Sequence, residues 1–173
     1  MAEALAHIGR VTGLGMVSIR ADLERAGDAI AEAAGLAIPG MTRIVTDGSR
    51  RALGWMSPDE LLLILPVAER AEAIAALTDA LAGEHALVVD VSDARAVFDV
   101  TGRHADDVIR KLMPVDLDEL PPDGLRRSRA AQTAAALWRI PGGFRLIGFR
   151  STADYLRLIL ENAAVPRSQL APR

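Results

Sequence analysis

Apolar residues recur at intervals of three and four positions in four stretches of this chain. The first stripe consists of Leu23, Ala26, Ile30 and Ala33. Because this spacing places side chains on one side of an α-helix, each stripe predicts an amphipathic helix that buries its apolar face. The other stripes are Val67, Ala71, Ile74, Leu77 and Leu81; Ala105, Val108, Ile109 and Leu112; and Tyr155, Leu156, Ile159, Leu160 and Ala163.

Residues that favour helix ends flank these stripes. Gly35 follows the first stripe, where a glycine C-cap is expected. Thr101 suits the N-cap of the third helix, and Pro114 ends that helix. Ser151 and Asp154 have the spacing of a capping box, so they predict the start of the last helix.

Short apolar runs between the helices predict β-strands. The run His85–Val91 is read as a buried strand, and Pro141–Gly143 as the hairpin turn between the last two strands. Asp116–Arg129 contains two prolines, four acids and three arginines, so we expect an irregular segment that is mobile or contacts a partner. The predicted strands span 11–20, 42–47, 51–56, 60–65, 85–91, 95–100, 134–140 and 144–149.

The order of these elements is nearly one pattern used twice. Residues 11–91 and 92–164 each read as strands and helices of a split βαβ unit, although no sequence repeat underlies them. We therefore predict an α+β fold of two fused ferredoxin-like halves, with antiparallel sheets and helices packed on them. Residues 1–164 are expected to form one integrated domain, and residues 165–173 a tail that frays.

The composition favours an ordinary folded domain and argues against membrane-spanning, secreted and nucleic-acid-binding proteins. Half of the 173 residues are hydrophobic and a quarter are charged, which is typical of an ordinary folded domain.

The longest apolar run, Leu61–Ala68, is too short to span a membrane, and the acidic N-terminus does not resemble a signal peptide. The chain has no cysteine, so it cannot form disulfides or thiolate metal sites, which fits a cytoplasmic protein. A net charge of −3 and 3% aromatic residues argue against nucleic-acid binding.

The sequence shows no arrangement of residues typical of an active site. His7, His85 and His104 lie in three different predicted elements, without carboxylates at the spacing of a metal site. Gly13 and Gly15 form a G-x-G pair, but no helix follows where a phosphate would bind, so a strand bend is the better interpretation. We expect no catalytic, cofactor-binding or metal-binding residue in this chain.

Three acidic positions have structural interpretations. Asp90 ends an apolar strand and either finds hydrogen-bond donors in the following turn, Val91–Asp93, or contacts a ligand; the turn is the favoured interpretation. Asp106 and Asp107 lie in the first turn of the third predicted helix, where carboxylates complement the helix dipole.

Several segments together resemble a known family. They are Val88–Arg95, Val100–Ala105, Val108–Leu117, Gly54–Leu63 and Phe149–Leu156. In these segments the chain resembles the gamma subunit of heterotetrameric sarcosine oxidase, a family related to the folate-binding domain of the glycine-cleavage aminomethyltransferase. The resemblance implies the aminomethyltransferase folate-binding-domain fold, which agrees with the doubled split βαβ pattern.

The resemblance also implies a function. The chain would be a non-catalytic subunit that assembles with alpha, beta and delta subunits. The partners would carry NAD, FAD, FMN and zinc. The complex would demethylate sarcosine oxidatively to glycine, with hydrogen peroxide and transfer of a one-carbon unit to tetrahydrofolate. The mean hydropathy of +0.19 is consistent with an apolar patch covered by a larger partner. The alternatives are a stand-alone folate-binding protein of the same superfamily and a small-molecule-binding regulatory module.

Overall fold

The computed structural model describes residues 3–170, which divide into two compact units. The inserted unit is Gly13–Asp93, and the terminal unit combines the segment up to Thr12 with the segment from Ala94 onward. The elements in chain order are β1 (His7–Val11), β2 (Leu14–Arg20), α1 (Leu23–Ala34), β3 (Ile44–Thr46), β4 (Ala52–Ser57), β5 (Glu60–Pro66), α2 (Arg70–Ala80), β6 (Leu87–Asp90), β7 (Arg95–Thr101), α3 (Ala105–Leu112), β8 (Leu125–Ala130), β9 (Thr133–Ile140), β10 (Gly143–Phe149) and α4 (Ala153–Ala163).

The inserted unit is built on a five-stranded antiparallel sheet in the order β3-β4-β5-β2-β6. Alternate residues of β2 and β5 face the helices, so Val17 lies opposite Leu63 and Ile19 opposite Leu61. Helices α1 and α2 cover this face and complete a core. The core is made largely of Val17, Ile19, Ile30, Leu53, Leu61, Leu63, Leu65 and Leu77.

The terminal unit is built on a second five-stranded antiparallel sheet, in the order β1-β7-β10-β9-β8. Its core lies between this sheet and helices α3 and α4. Alternation on β7 and β10 supplies Phe98, Val100, Phe144 and Leu146, and the helices supply residues such as Ile109, Leu156 and Leu160.

The two units have the same topology with one difference in connectivity. The succession β2-α1-β3-β4-β5-α2 of the inserted unit matches β7-α3-β8-β9-β10-α4 of the terminal unit. The next strand, β6, follows α2 along the chain, whereas β1 at the N-terminus takes the equivalent edge position in the terminal unit. The prediction of two ferredoxin-like halves with antiparallel sheets is confirmed. The prediction that residues 1–164 act as one integrated domain stays a prediction.

Helix α1 begins and ends at residues that cap its free backbone groups, which is why its position could be predicted from the sequence. The Asp22 carboxylate accepts hydrogen bonds from the backbone N–H groups of Glu24 and Arg25, at 3.0 and 3.4 Å. These bonds satisfy two amides that have no partner inside the helix. Gly35 ends the helix with φ of 66°, a conformation that glycine adopts without strain. The predicted helix and its glycine cap are confirmed.

The predicted strand at residues 11–20 is wrong as a single element. A bend at Gly13 separates β1 from β2, and the two strands belong to different sheets. Local hydrophobicity does not reveal such a change of sheet, because β1 pairs with β7 and β2 with β5, and both partners are distant in sequence. The bend itself agrees with the interpretation of the Gly13 and Gly15 pair.

The segment Asp116–Arg129 is more ordered than expected. It contains most of β8, which pairs with β9, and Leu117 and Leu120 are buried in the terminal unit's core. The arginine-rich sequence of β8 is compatible with a strand because β8 lies at the sheet edge, where charged side chains reach solvent.

The predicted helix N-caps were wrong at two helices. Thr101 lies in β7, and His104 takes the N-cap of α3. Helix α4 has Thr152 at its N-cap without a capping side-chain hydrogen bond, so Ser151 and Asp154 form no capping box.

Three predictions of burial were also wrong. In the second stripe Val67 and Ala71 are exposed, and Ala73 is buried instead. Tyr155 of the last stripe is exposed. The run His85–Val91 is not a buried strand, because β6 lies at a sheet edge and exposes Leu87 and Val89.

In the predicted tail, Ser168 accepts a hydrogen bond from Lys111 Nζ at 2.7 Å, and residues 171–173 lie outside the described residues. Fraying of the tail stays a prediction. No helix within residues 3–170 is both long and apolar enough to cross a membrane.

Candidate partner-binding surface

The three histidines of the chain do not come together at one site. His7 and His104 line one cleft of the terminal unit, and His85 lines a cleft of the inserted unit. His104 Nδ1 lies 3.2 Å from an Asp107 carboxylate oxygen, three residues further along the chain. Within residues 3–170, no group of three or more potential metal ligands comes together.

Asp90 forms the turn after β6. Its carboxylate accepts hydrogen bonds from the Ser92 hydroxyl at 2.6 Å and the Ser92 N–H at 2.9 Å, and lies 3.2 Å from Arg70 Nε. The Ser92 hydroxyl bond is the main reason that the pKa of Asp90 lies below its usual value. The favoured interpretation of Asp90 as a turn residue is confirmed. Asp106 and Asp107 likewise occupy the first turn of α3, as expected.

Exposed apolar side chains cluster in sequence along the end of β10 and helix α4. Phe149, Tyr155, Leu158 and Val165 are exposed by 42%, 39%, 54% and 44%. We call these four residues the α4 surface. Tyr155 and Leu158 are three positions apart and therefore neighbours on the helix. Single exposed apolar residues are common, but several along one element suggest a surface that another protein covers.

Helix α4 is apolar on two sides. Leu156, Leu160 and Ala163 face the core and are buried, so the helix is already anchored without Tyr155 and Leu158. The solvent side therefore carries apolar groups that folding of this chain does not require.

Arginines accompany these apolar groups. Arg157 forms an ion pair with Glu161 at 2.9 Å, and the Arg95 guanidinium lies 4.5 Å from the centroid of the Phe149 ring. Exposed aromatic and aliphatic residues beside arginine are typical of protein–protein interfaces.

A cleft of about 890 Å³ adjoins the C-terminal end of α4. The cleft is lined by Glu161 of the helix, by residues 3–8 and 101–104, and by residues 164–167 and 169. Its cationic side chains are Arg103 and Arg167. The cleft extends the α4 surface with a charged region.

The inserted unit has a second exposed apolar segment on β6. Leu87 is 50% exposed and Val89 is 38% exposed. Leu87 also lines a cleft of about 1000 Å³, which contains the ion pairs Arg20–Asp59 and Arg25–Glu84. The Arg20 hydrogen bond holds the pKa of Asp59 below its usual value.

Sequence reasoning missed both exposed segments for different reasons. Leu158 is an apolar residue outside the predicted stripe of Tyr155, Leu156, Ile159, Leu160 and Ala163, so its exposure had a local signal. The exposure of Leu87 and Val89 had no local signal, because a short apolar run has the same sequence pattern in a central strand and in an edge strand.

Comparison with known proteins identifies the family. The model of the "Sarcosine oxidase, gamma subunit family" matches residues 20–166. A sarcosine oxidase subunit gamma from Arthrobacter sp. is 35% identical over 130 residues, 71% of this chain and 62% of that protein. The corresponding protein of Corynebacterium sp. strain U-96 is 32% identical over 144 residues, 80% of this chain and 67% of that protein. That of Corynebacterium sp. strain P-1 is 40% identical over 90 residues, and the match covers 43% of its length.

Solved structures agree with this assignment. A chain of the heterotetrameric sarcosine oxidase from Corynebacterium sp. U-96, in complex with pyrrole 2-carboxylate, has a TM-score of 0.87 and 26% identity, covering 97% of this chain and 88% of that chain. The glycine cleavage system aminomethyltransferase T from Bartonella henselae has a TM-score of 0.66 at 15% identity and covers 90% of this chain and 45% of that chain, which shows a shared fold. Because the family model covers most of its length, this chain belongs to the sarcosine oxidase gamma subunit family.

Proposed function

We propose that this chain is the non-catalytic gamma subunit of a heterotetrameric sarcosine oxidase. In this proposal it assembles with alpha, beta and delta subunits, which hold NAD, FAD, FMN and zinc. The complex demethylates sarcosine oxidatively to glycine, reduces oxygen to hydrogen peroxide and passes the one-carbon unit to tetrahydrofolate. The contribution of this chain is a surface that binds a larger subunit.

The observation that carries the proposal is the match to a chain of a heterotetrameric sarcosine oxidase over 97% of this chain. The α4 surface adds a physical reason for assembly. Covering exposed side chains such as Tyr155 and Leu158 removes apolar area from water, which stabilises a complex by about 25 cal/mol for each Å² buried. Because Leu156 and Leu160 anchor the helix on its other side, α4 is held rigidly before a partner binds.

The test is affinity isolation of the tagged chain from its own cells, followed by mass spectrometry, a visible absorption spectrum and a peroxide assay with sarcosine. We expect two larger flavoproteins and a small zinc-containing subunit to be recovered with the chain, together with sarcosine-dependent peroxide. Recovery of the chain alone would contradict the proposal. In that case thermal melting of the chain with folates, and separately with amino acids, would test the two alternative functions.

A pair of variants locates the surface. Leu158→Arg places a charge on the α4 surface, and Met41→Arg places the same charge on a loop residue that is 73% exposed. Both positions are exposed, so each variant is expected to change the free energy of unfolding by no more than about 0.5 kcal/mol. We expect Leu158→Arg to weaken assembly about tenfold or more, and Met41→Arg to leave it unchanged. Equal assembly of the two variants would exclude Leu158 from the interface.

A further inference from the structure

Met41 differs from the other methionines of residues 3–170 in its access to solvent. It is 73% exposed, more than any other large hydrophobic residue in this part of the chain. Met16, Met56 and Met113 are exposed by only 3%, 6% and 3%. Folding therefore buries three thioethers of this part of the chain and leaves one open to solvent.

A closed turn holds Met41 in this position. Arg43 N donates to Gly40 O at 3.0 Å, so residues 40–43 form a turn with Met41 and Thr42 at its centre. Trp55 N donates to Arg43 O at 2.9 Å, which ties the end of the turn to β4. The exposure of Met41 is therefore a fixed feature of the fold.

The exposed thioether has a defined reaction with peroxide. Cysteine and methionine sulfur are oxidised by peroxide, and this chain has no cysteine that would compete. The sulfur attacks one oxygen of hydrogen peroxide with a lone pair, and the O–O bond breaks. The sulfur gives up two electrons and keeps that oxygen as a sulfoxide, while the other oxygen leaves with both hydrogens as water. A thioether has no proton to lose, so the step needs no base from the protein.

Oxidation at Met41 is compatible with the folded chain. A sulfoxide is polar and disrupts packing where it forms in a core. Met16, Met56 and Met113 lie in such buried surroundings, whereas the side chain of Met41 lies largely in solvent. Met41 can therefore take up oxygen without loss of core packing.

We propose that Met41 is a site of oxidative modification, at which hydrogen peroxide made by the oxidase complex forms methionine sulfoxide while the chain stays folded and assembled. This inference rests on the proposed function, because the complex supplies the peroxide. Methionine sulfoxide is reduced back by sulfoxide reductases, so the modification is reversible.

The first test exposes the isolated full chain to added hydrogen peroxide and locates the sulfoxide by peptide mass spectrometry. We expect Met41 to be oxidised at least about tenfold faster than Met16, Met56 and Met113, because the buried sulfurs react only when the fold opens. In concentrated guanidinium chloride the four rates should become similar. The chain oxidised at Met41 should keep its melting temperature within about 2 °C. Equal rates in the folded chain, or a larger loss of melting temperature, would overturn the proposal.

Matched variants test whether exposure controls the reaction. In a Met41→Leu chain, Val67→Met places a sulfur at a position that is 45% exposed, and Leu65→Met places one at a fully buried position two residues away. Leucine and methionine have similar volumes, so Leu65→Met should preserve the fold. We expect rapid oxidation at residue 67 and slow oxidation at residue 65. Similar rates at the two positions would show that exposure does not control oxidation.

The second test uses the assembled complex during turnover of sarcosine. We expect sulfoxide to accumulate at Met41, and catalase, which removes hydrogen peroxide, to prevent it. A complex that carries Met41→Leu should produce peroxide at the same initial rate, since the residue takes no part in the oxidase reaction. Dissociation of the complex on oxidation of Met41 would contradict the proposal.

The remaining outcomes separate this inference from the proposed function. If the complex makes peroxide from sarcosine and Met41 stays unoxidised, the modification site is wrong and the subunit function stands. If Met41 reacts with added peroxide but the chain recovers no partner and no sarcosine-dependent peroxide, the proposed function fails, and with it the source of oxidant named here.

Discussion

Arg145 and Asp99 lie directly opposite each other on β10 and β7 and form a two-point ion pair. Arg145 Nε contacts Asp99 Oδ1 at 2.7 Å, and Arg145 Nη2 contacts Asp99 Oδ2 at 2.8 Å. The side chains are only 26% and 25% exposed, and the Asp99 hydrogen bonds raise the pKa of Arg145. Paired charges shielded from water in this geometry bind more strongly than surface pairs.

Replacement of Asp99 by Asn is therefore expected to lower the free energy of unfolding by about 1–3 kcal/mol, because the half-buried guanidinium loses its counter-charge. Urea denaturation at neutral pH measures the change. The exposed pair Arg20–Asp59 supplies the control, and Asp59→Asn is expected to change stability much less. Equal losses in the two variants would show that shielding from water contributes nothing to the Arg145–Asp99 pair.

Gly102 joins β7 to α3 in a conformation that other residues rarely adopt. Its φ is 135°, and an added Cβ would lie 3.2 Å from Ala6 Cα and 3.4 Å from Leu5 O. Replacement by Val is expected to lower the free energy of unfolding by about 1–3 kcal/mol, because backbone strain and crowding against Ala6 combine. Gly40→Ala is the control, since a Cβ there would make an ordinary contact with Arg43 at 3.7 Å. Similar melting temperatures for wild type and Gly102→Val would contradict the argument.

Asp90 is expected to make stability depend on acidity. The Ser92 hydroxyl keeps the pKa of Asp90 below its ordinary value of 3.8. A lowered folded-state pKa stabilises the fold above the unfolded-state pKa, and this stabilisation is lost as the pH falls through the folded-state pKa. Wild type should therefore exceed Asp90→Asn in free energy of unfolding at neutral pH, and the difference should shrink below pH 3.8. A difference that stays constant across this range would count against the charge-dependent explanation.

Arg139 holds the loop between α3 and β8. Its Nη2 donates to Leu117 O at 2.6 Å and its Nε to Leu120 O at 3.3 Å, while the guanidinium lies 5.0 Å from the Phe144 ring centroid. Arg139→Ala should free this loop, so a glutamate-specific protease is expected to cut after Glu119 at least about tenfold faster than in wild type. Arg129→Ala, at an exposed position of the neighbouring strand β8, is the control. No increase in cleavage would show that the buried leucines hold the loop without Arg139.

The fold was predictable where local chemistry determines it. Asp22 and Gly35 mark both ends of α1, and the apolar stripe of α3 supplies the buried residues Ala105, Val108 and Ile109. Pairing between strands that are distant in sequence could not be predicted, because it has no signal in the local sequence. The change of sheet at Gly13 depends on residues far away in sequence, because β1 pairs with β7, so it could not be read from the chain.

The candidate surface was only partly predictable. The turn role of Asp90 and the helix first-turn role of Asp106 depend only on residues adjacent in sequence, and the structure confirms both. Exposure of Leu158 could be read from its place outside the apolar stripe. Exposure of Leu87 and Val89 could not, because it depends on β6 being the last strand of its sheet.

The placement of β1 has a consequence for the order of folding. His7 pairs with Thr101 across β1 and β7, so β1 has no partner in its sheet until the entire inserted unit and β7 have been synthesised. Every strand of the inserted unit, by contrast, finds its neighbours within Gly13–Asp93. On the ribosome the inserted unit can therefore form before the terminal unit, while β1 remains unpaired until β7 emerges.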